Sequence, residues 1–277
     1  APNPASERFP ALALDRDGGV VAVWLDKRGR LDLPDPRGFA GADLGWRWFG
    51  PDGVARGPAQ MVALGGGTHS CECCRLGLAM AGPGRPAVLF RALYPGSVRD
   101  HALLVFADPA TPGPAHRVSV DDWVIEACPH HGPALALGPG DGRAGDAGDR
   151  EAEGGVVHAA WFTAGRARRG LFYARSTDGG AHFGPPLAVG TPQRGAGRPS
   201  LLALGDQVRL AWKERDGEDE VVRLMTSRDG GARFGAPVTI ARATEGADHP
   251  LLITDGQTAY LSWLSAAEGY RLLRLAP

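Results

Sequence analysis

The apolar residues of this chain fall in short runs broken by glycine and aspartate, and one plan recurs five times. An apolar run leads into a tight Gly/Asp turn, and a second apolar run closes on an aromatic. The five copies are PALALDRDGGVVAVWLD from Pro10, RLGLAMAGPGRPAVLFRA from Arg75, GPALAL…GGVVHAAWFTA from Gly132, RPSLLALGDQVRLAWKE from Arg198 and HPLLITDGQTAYLSWLSA from His249. Their closing aromatics are Trp24, Phe90, Trp161, Trp212 and Trp263, the last three spaced 51 and 51. Runs this short, joined by Asp17-Gly18-Gly19 or Asp255-Gly256, predict β-hairpins. No segment sustains a 3.6-residue period, so no helix is predicted. Further strands are predicted at roughly 44–49, 60–64, 102–107, 170–175 and 221–226.

Four short strands per unit of about 50 residues is the plan of a propeller blade. A sandwich would also supply many strands, but not a 51-residue repeat with an aromatic in register. The prediction is an all-β chain forming a single β-propeller domain over residues 1–277, with five four-stranded antiparallel blades. Their bounds fall at roughly 8–66, 74–123, 131–190, 197–243 and 248–277, and a sixth blade is allowed if the long first unit merges two. The last unit ends after three strands, so residues near the N-terminus are expected to complete it. The Gly/Asp-rich insertion at 141–154 is expected to be an exposed, mobile hairpin loop.

Composition changes this picture little. The 41 glycines and 23 prolines approach the level of low-complexity chains, but 43% hydrophobic residues and a net charge of −1 allow a buried core. With 30 basic and 31 acidic residues there is no electrostatic footprint for nucleic acid or an anionic membrane. Only Lys27 and Lys213 are lysines among the basic residues, a codon bias expected of a GC-rich genome. No apolar run approaches the ~20 residues of a membrane-spanning helix.

Two segments, Ser176-Thr177-Asp178-Gly179-Gly180-Ala181-His182-Phe183 and Ser227-Arg228-Asp229-Gly230-Gly231-Ala232-Arg233-Phe234, share the pattern S-x-D-G-G-x-x-F and again lie 51 apart. The aspartate can accept amides of its own turn, the glycines permit positive φ, and the aromatic folds back as a plug. On these residues the chain resembles the Asp-box, or BNR-repeat, propellers, whose best-known members are sialidases. The resemblance implies a structural role for Ser176, Asp178, Gly180, Phe183, Ser227, Asp229, Gly231 and Phe234 at the outer hairpin of a blade, and says nothing of catalysis.

A narrower resemblance rests on Trp24-Leu25-Asp26-Lys27-Arg28, Cys71-Glu72-Cys73-Cys74, Arg99-Asp100, Asp122-Trp123, Cys128-Pro129, Gly132-Pro133-Ala134 and Ala160-Trp161-Phe162-Thr163, in that order. They are similar to the W-L-D-x-R, C-x-C-C, R-D, C-P-x-x-G-P-A and A-W-F-T motifs of a family of bacterial secreted, sialidase-like proteins. In that family Val-Asn usually continues the C-P pair, where this chain has His130-His131, and longer members carry an additional N-terminal blade. The resemblance implies a fold and a location more than an activity.

All four cysteines lie just before the first strand of the second and third units, on neighbouring blade entrances, so Cys128 can meet Cys71, Cys73 and Cys74 in space. Three readings stay open. Thiolates joined by His130, His131 or His69 would hold a soft metal, copper or zinc. An even cysteine count also suits disulfides that staple adjacent blades. The third reading is a redox-reactive thiol. Two adjacent imidazoles beside four sulfurs favour the metal. The other histidines, His101, His116, His158 and His182, read as structural or exposed, and His249 opens the last unit near the expected axis.

A sialidase would need three arginines around a carboxylate, a tyrosine–glutamate nucleophile pair and an aspartate acid/base. By position near the inner strands the catalytic candidates are Asp26, Arg91, Arg99, Asp100, Glu214 and Tyr270, with Arg28, Arg198 and Arg271 beside them. Charges at such strand ends are costly to bury unless paired, so an Arg–Asp network wiring the blades competes with catalysis. The F-R-I-P motif of sialidases is reduced here to Phe90-Arg91-Ala92-Leu93, and no tyrosine–glutamate pair stands where one is needed beyond Glu268 and Tyr270 in an expected loop. The opening Ala1-Pro2-Asn3-Pro4-Ala5-Ser6 has the composition of a mature N-terminus left by cleavage of an exported precursor. The sequence thus predicts a periplasmic or extracellular bacterial propeller that binds a metal ion. A glycoside hydrolase or carbohydrate-binding protein, and a platform for a protein partner, are the alternatives.

Overall fold

The computed structural model describes residues 7–30, 41–139 and 155–276. The expected mobile loop at 141–154 and the first six residues lie outside them. Among the described residues the strands form five antiparallel sheets, the blades of a five-bladed β-propeller. The chain divides into two compact units, Ala1–Pro133 with Gly165–Ala167, and Ala134–Ala164 with Arg168–Pro277.

The first unit holds two blades. The first is β1 (Glu7–Leu14), β2 (Val20–Asp26), β3 (Asp43–Phe49) and β4 (Gln60–Val62), paired in chain order. The second has an interrupted first strand. Both β5 (His69–Ser70) and β6 (Gly77–Met80) pair with β7 (Pro86–Leu93), β5 at Ala92–Leu93 and β6 at Pro86–Leu89. Residues 71–76 leave the sheet between them. β8 (His101–Asp108) and β9 (Thr111–Arg117) finish the blade.

The second unit holds three. The third blade is β10 (Ala134–Gly138), β11 (Val156–Ala164), β12 (Arg169–Ser176) and β13 (Leu187–Val189). The fourth is β14 (Gly197–Leu204), β15 (Gln207–Asp216), β16 (Asp219–Ser227) and β17 (Val238–Ala243). The fifth shows three strands, β18 (Leu251–Thr254), β19 (Ala259–Ser265) and β20 (Gly269–Arg274). Residues 7–14 pair with β2 as the first strand of the first blade.

The repeat works because the second strand of each of the first four blades is largely buried on both faces, and so reads as a near-continuous apolar run, while β19 buries one face. Side chains alternate across a strand. Along β15, Val208, Leu210 and Trp212 enter the core shared with the third blade, while Ala211 enters the one shared with the fifth. Trp161, Trp212 and Trp263 are fully buried at equivalent places in β11, β15 and β19. In the first unit Val23, Leu44, Trp46, Val88, Phe90 and Phe106 form one core between its two blades.

Candidate metal centre

The repeating tryptophan carries a second device. In β2 the Trp24 indole N–H donates to Asp26 Oδ2 at 3.0 Å, and in β15 Trp212 donates to Glu214 Oε2 at 2.9 Å. Both carboxylates are buried and bridged onward. Asp26 accepts the Arg28 amide at 2.9 Å and its guanidinium at 3.0 Å; Glu214 accepts Arg223 at 3.0 Å and the Thr191 amide at 3.3 Å. Burial pushes the Asp26 carboxyl up, but the Arg28 and Trp24 hydrogen bonds outweigh it and leave it below the usual range. These two candidate catalytic carboxylates therefore spend their acceptor capacity on the fold. Tyr270 is 64% exposed, and its hydroxyl meets Ser262 at 3.2 Å.

Arg91, Arg99 and Asp100 converge instead on the segment 118–133. Asp100, buried at the end of the β7–β8 connection, accepts the amides of Asp121 and Asp122 at 3.0 and 3.1 Å and pairs with Arg117. Arg99 donates to the Ile125 carbonyl at 3.0 Å, and its amide to the Trp123 carbonyl at 2.9 Å. Arg91 donates to the His131 carbonyl at 2.9 Å, with its guanidinium 4.6 Å above the Trp123 ring. A segment with almost no regular pairing is thus held by two buried guanidiniums and one buried carboxylate. Charge-assisted bonds of this kind fix geometry more firmly than neutral ones.

The cysteine loop is held as tightly. The Cys71 amide donates to the Arg91 carbonyl at 2.7 Å, and Ser70 and Ala42 exchange two 2.8 Å bonds. Glu72 pairs with Lys27 at 2.8 Å. Gly132 packs so closely that a Cβ there would lie 2.6 Å from the Arg75 carbonyl oxygen, which accounts for the glycine of the G-P-A motif.

These contacts bring together residues far apart in sequence. Cys71, Cys73 and Cys74 are buried free thiols, with Cys71 Sγ 3.5 Å from Cys73 Sγ and 3.6 Å from Cys74 Sγ. These are contact distances, beyond the ~2.05 Å of a disulfide. A second group joins Cys73, Cys128 and His130, whose ligand atoms all lie within 4.8 Å of one another. His130 holds a left-handed backbone, φ 53°, a conformation uncommon for a non-glycine residue. His131 and His69 belong to neither group among the described residues.

Arg99 reaches Cys71 Sγ at 3.1 Å. Hydrogen bonds from Cys73 and Cys74, with the Arg99 charge, hold the Cys71 thiol far below its ordinary range. Its bond to Cys71 pushes Cys73 up, and the same neighbour raises Cys74. The thiolate is the metal-binding form of cysteine, and the lowered Cys71 favours that form. The arrangement is suited to gripping a soft cation.

The sequence singled out every residue of this centre but not its scaffold. Arg91, Arg99 and Asp100 read as catalytic candidates because buried charges near inner strands permit either role. Arg117, the counter-ion of Asp100, carried no signal of its own, since its partner lies 17 residues away.

The two S-x-D-G-G-x-x-F segments form matching turns after β12 and β16. In each, the serine hydroxyl donates to the aspartate, at 2.6 Å for Ser176–Asp178 and 2.8 Å for Ser227–Asp229. The Gly180 and Gly231 amides each donate to that serine at 2.9 Å. The aspartates accept the His182 and Arg233 amides at 2.9 Å. Phe183 and Phe234 are half-buried, Phe234 meeting Tyr173 edge-on at 4.9 Å.

Fold and site together define an all-β propeller carrying a Cys/His centre. No family model and no curated protein matches the chain. Among solved structures it is similar to a protein of unknown function from Dyadobacter fermentans DSM 18053, with a TM-score of 0.58 and 14% identity over 98% of this chain and 80% of that one. The polysaccharide lyase Uly1 gives a TM-score of 0.51 at 8% identity, over 97% of this chain and 57% of the lyase. The Hadza microbial sialidase Hz136 gives 0.49 at 12%, over 97% of this chain and 65% of the sialidase. At such identities the likeness is one of fold, and the chain spans under two thirds of the lyase and of the sialidase.

Proposed function

We propose that this chain is a metal-handling propeller of the bacterial cell envelope, and that it binds a soft ion, copper foremost, through Cys71, Cys73, Cys74, Cys128 and His130. The observation that carries this reading is the clustering of three buried free thiols with a second group reached through Cys73. Thiolate-rich sets select soft cations, and imidazole is compatible with the same ions. The catalytic alternative has less support, because Asp26, Asp100 and Glu214 are each engaged by structural partners. The test is thiol titration and elemental analysis of protein purified without reductant. Four titratable thiols after metal removal and bound copper before it are expected. Fully oxidised thiols with no uptake on anaerobic loading would overturn the reading.

Carbohydrate binding is the second reading. A cleft of about 750 Å³ in the first unit is lined by Trp46 and Trp48 with Asp15, Asp17, Arg56 and Gln60. The buried Trp46 indole N–H beside it has no hydrogen-bond partner among the described residues. Aromatic rings with convergent polar groups suit a sugar. Glycan-array binding that is lost in Gln60→Ala would support it, and an array with no retained ligand would remove it.

A further inference from the structure

The ligand atoms of the centre divide into two triads, and their division points to the number of ions. One triad is Cys71, Cys73 and Cys74; the other is Cys73, Cys128 and His130; no single group among the described residues contains all five. Ligands of one ion must sit close together: with metal–sulfur bonds of about 2.3 Å, neighbouring sulfurs lie roughly 4 Å apart. The 3.5 and 3.6 Å separations within the first triad approach that distance. The second triad meets the first only at Cys73. A thiolate sulfur has lone pairs enough to bind two soft ions at once.

We infer that the centre is dinuclear, holding two copper(I) ions bridged by the Cys73 sulfur, one in each triad; this rests on the metal reading above. The coordination number favours copper(I). Structural zinc takes four ligands in a tetrahedron, whereas each triad here offers three, and soft thiolates suit copper(I). Charge agrees: four thiolates and two monovalent ions leave two negative charges. One buried guanidinium, Arg99 with its donor 3.1 Å from Cys71 Sγ, stands beside them to offset part of that charge.

The test is anaerobic titration of the full chain with copper(I) against a competing chelator, read by native mass spectrometry and by copper K-edge absorption spectroscopy. Two ions per chain and a copper–copper scattering path are expected. The double variant Cys128→Ser/His130→Ala should retain one ion and lose that path, with circular dichroism confirming its fold. A wild-type chain that saturates at one ion, or takes two without a copper–copper path, overturns the bridged pair and leaves the metal reading standing. No uptake by the wild type overturns both.

Discussion

The two S-x-D-G-G-x-x-F turns and the cysteine loop are all short excursions between strands, yet their polar groups are arranged in opposite ways. In the turn at 227–234 the Ser227 hydroxyl donates to Asp229 and accepts the Gly231 amide, and Asp229 accepts the Arg233 amide. Its serine hydroxyl and the Asp229, Gly231, Ala232 and Arg233 amides find acceptors within the turn itself. At 71–74 three sulfurs face one another, with a fourth and an imidazole brought from 128–130. That set is rich in ligands of one kind and poor in internal complements. A loop whose groups satisfy each other stabilises the fold. A loop that concentrates like groups at the cost of internal pairing is poised for a partner from outside.

The contrast can be broken at its scaffold. Asp100→Ala removes the acceptor of the Asp121 and Asp122 amides, the first of them buried, and leaves Arg117 without its main counter-ion. A loss of roughly 3 kcal/mol is expected in urea unfolding. Copper uptake should fall with it, because 118–133 would no longer carry Cys128 to Cys73. If the variant binds copper as the parent does, that segment is positioned by something other than Asp100.

The turns should behave differently. Ser227→Ala removes the buried hydroxyl that accepts the Gly231 amide and is expected to cost about 1 kcal/mol with copper stoichiometry unchanged. A change in stoichiometry would mean that the turns and the centre are not separable.

The smallest effect is one of pH. Hydrogen bonds from Ser176 and the His182 amide hold the Asp178 carboxyl well below its usual range; the Arg233 amide and Ser227 do the same for Asp229. Their contribution is therefore present above the ordinary carboxylate value near 4 and lost as pH falls below it. Melting temperature measured from pH 6 to pH 3 should drop, and the drop should be shallower in Asp178→Asn/Asp229→Asn. An equal slope in the double variant would assign the acid sensitivity to other groups.

Legibility tracked burial. The second strands β2, β7, β11 and β15 were visible because burial on both faces demands an apolar run, β19 because its buried face alternates with more exposed positions, and their aromatics kept the repeat in register. Of the outer strands only β4 was predicted. β9 carries Pro112 and Pro114, and β13 and β17 are short and largely exposed, as edge strands are free to be. The short β5 was missed because the cysteine loop interrupts the strand it begins. The candidate ligands Cys71, Cys73, Cys74, Cys128 and His130 could be named from residue chemistry, but Arg91, Arg99 and Asp100 could not be separated from catalytic groups. A buried arginine reads the same in sequence whether it grips a substrate or a carbonyl.

The sequence alone determined the all-β repeat, narrowed the blades to five or six and picked out the sulfur-bearing candidate ligands. Those come from local periodicity, from turn chemistry at Gly and Asp, and from the scarcity of cysteine. Only the tertiary structure decided that Asp26 and Glu214 serve tryptophan indoles and that Asp100 organises a loop. It also decided that the five candidate ligands fall into two groups meeting at Cys73. The reason is that pairing between residues tens of positions apart depends on how the blades bring their entrances together, and no local pattern encodes a distance in space.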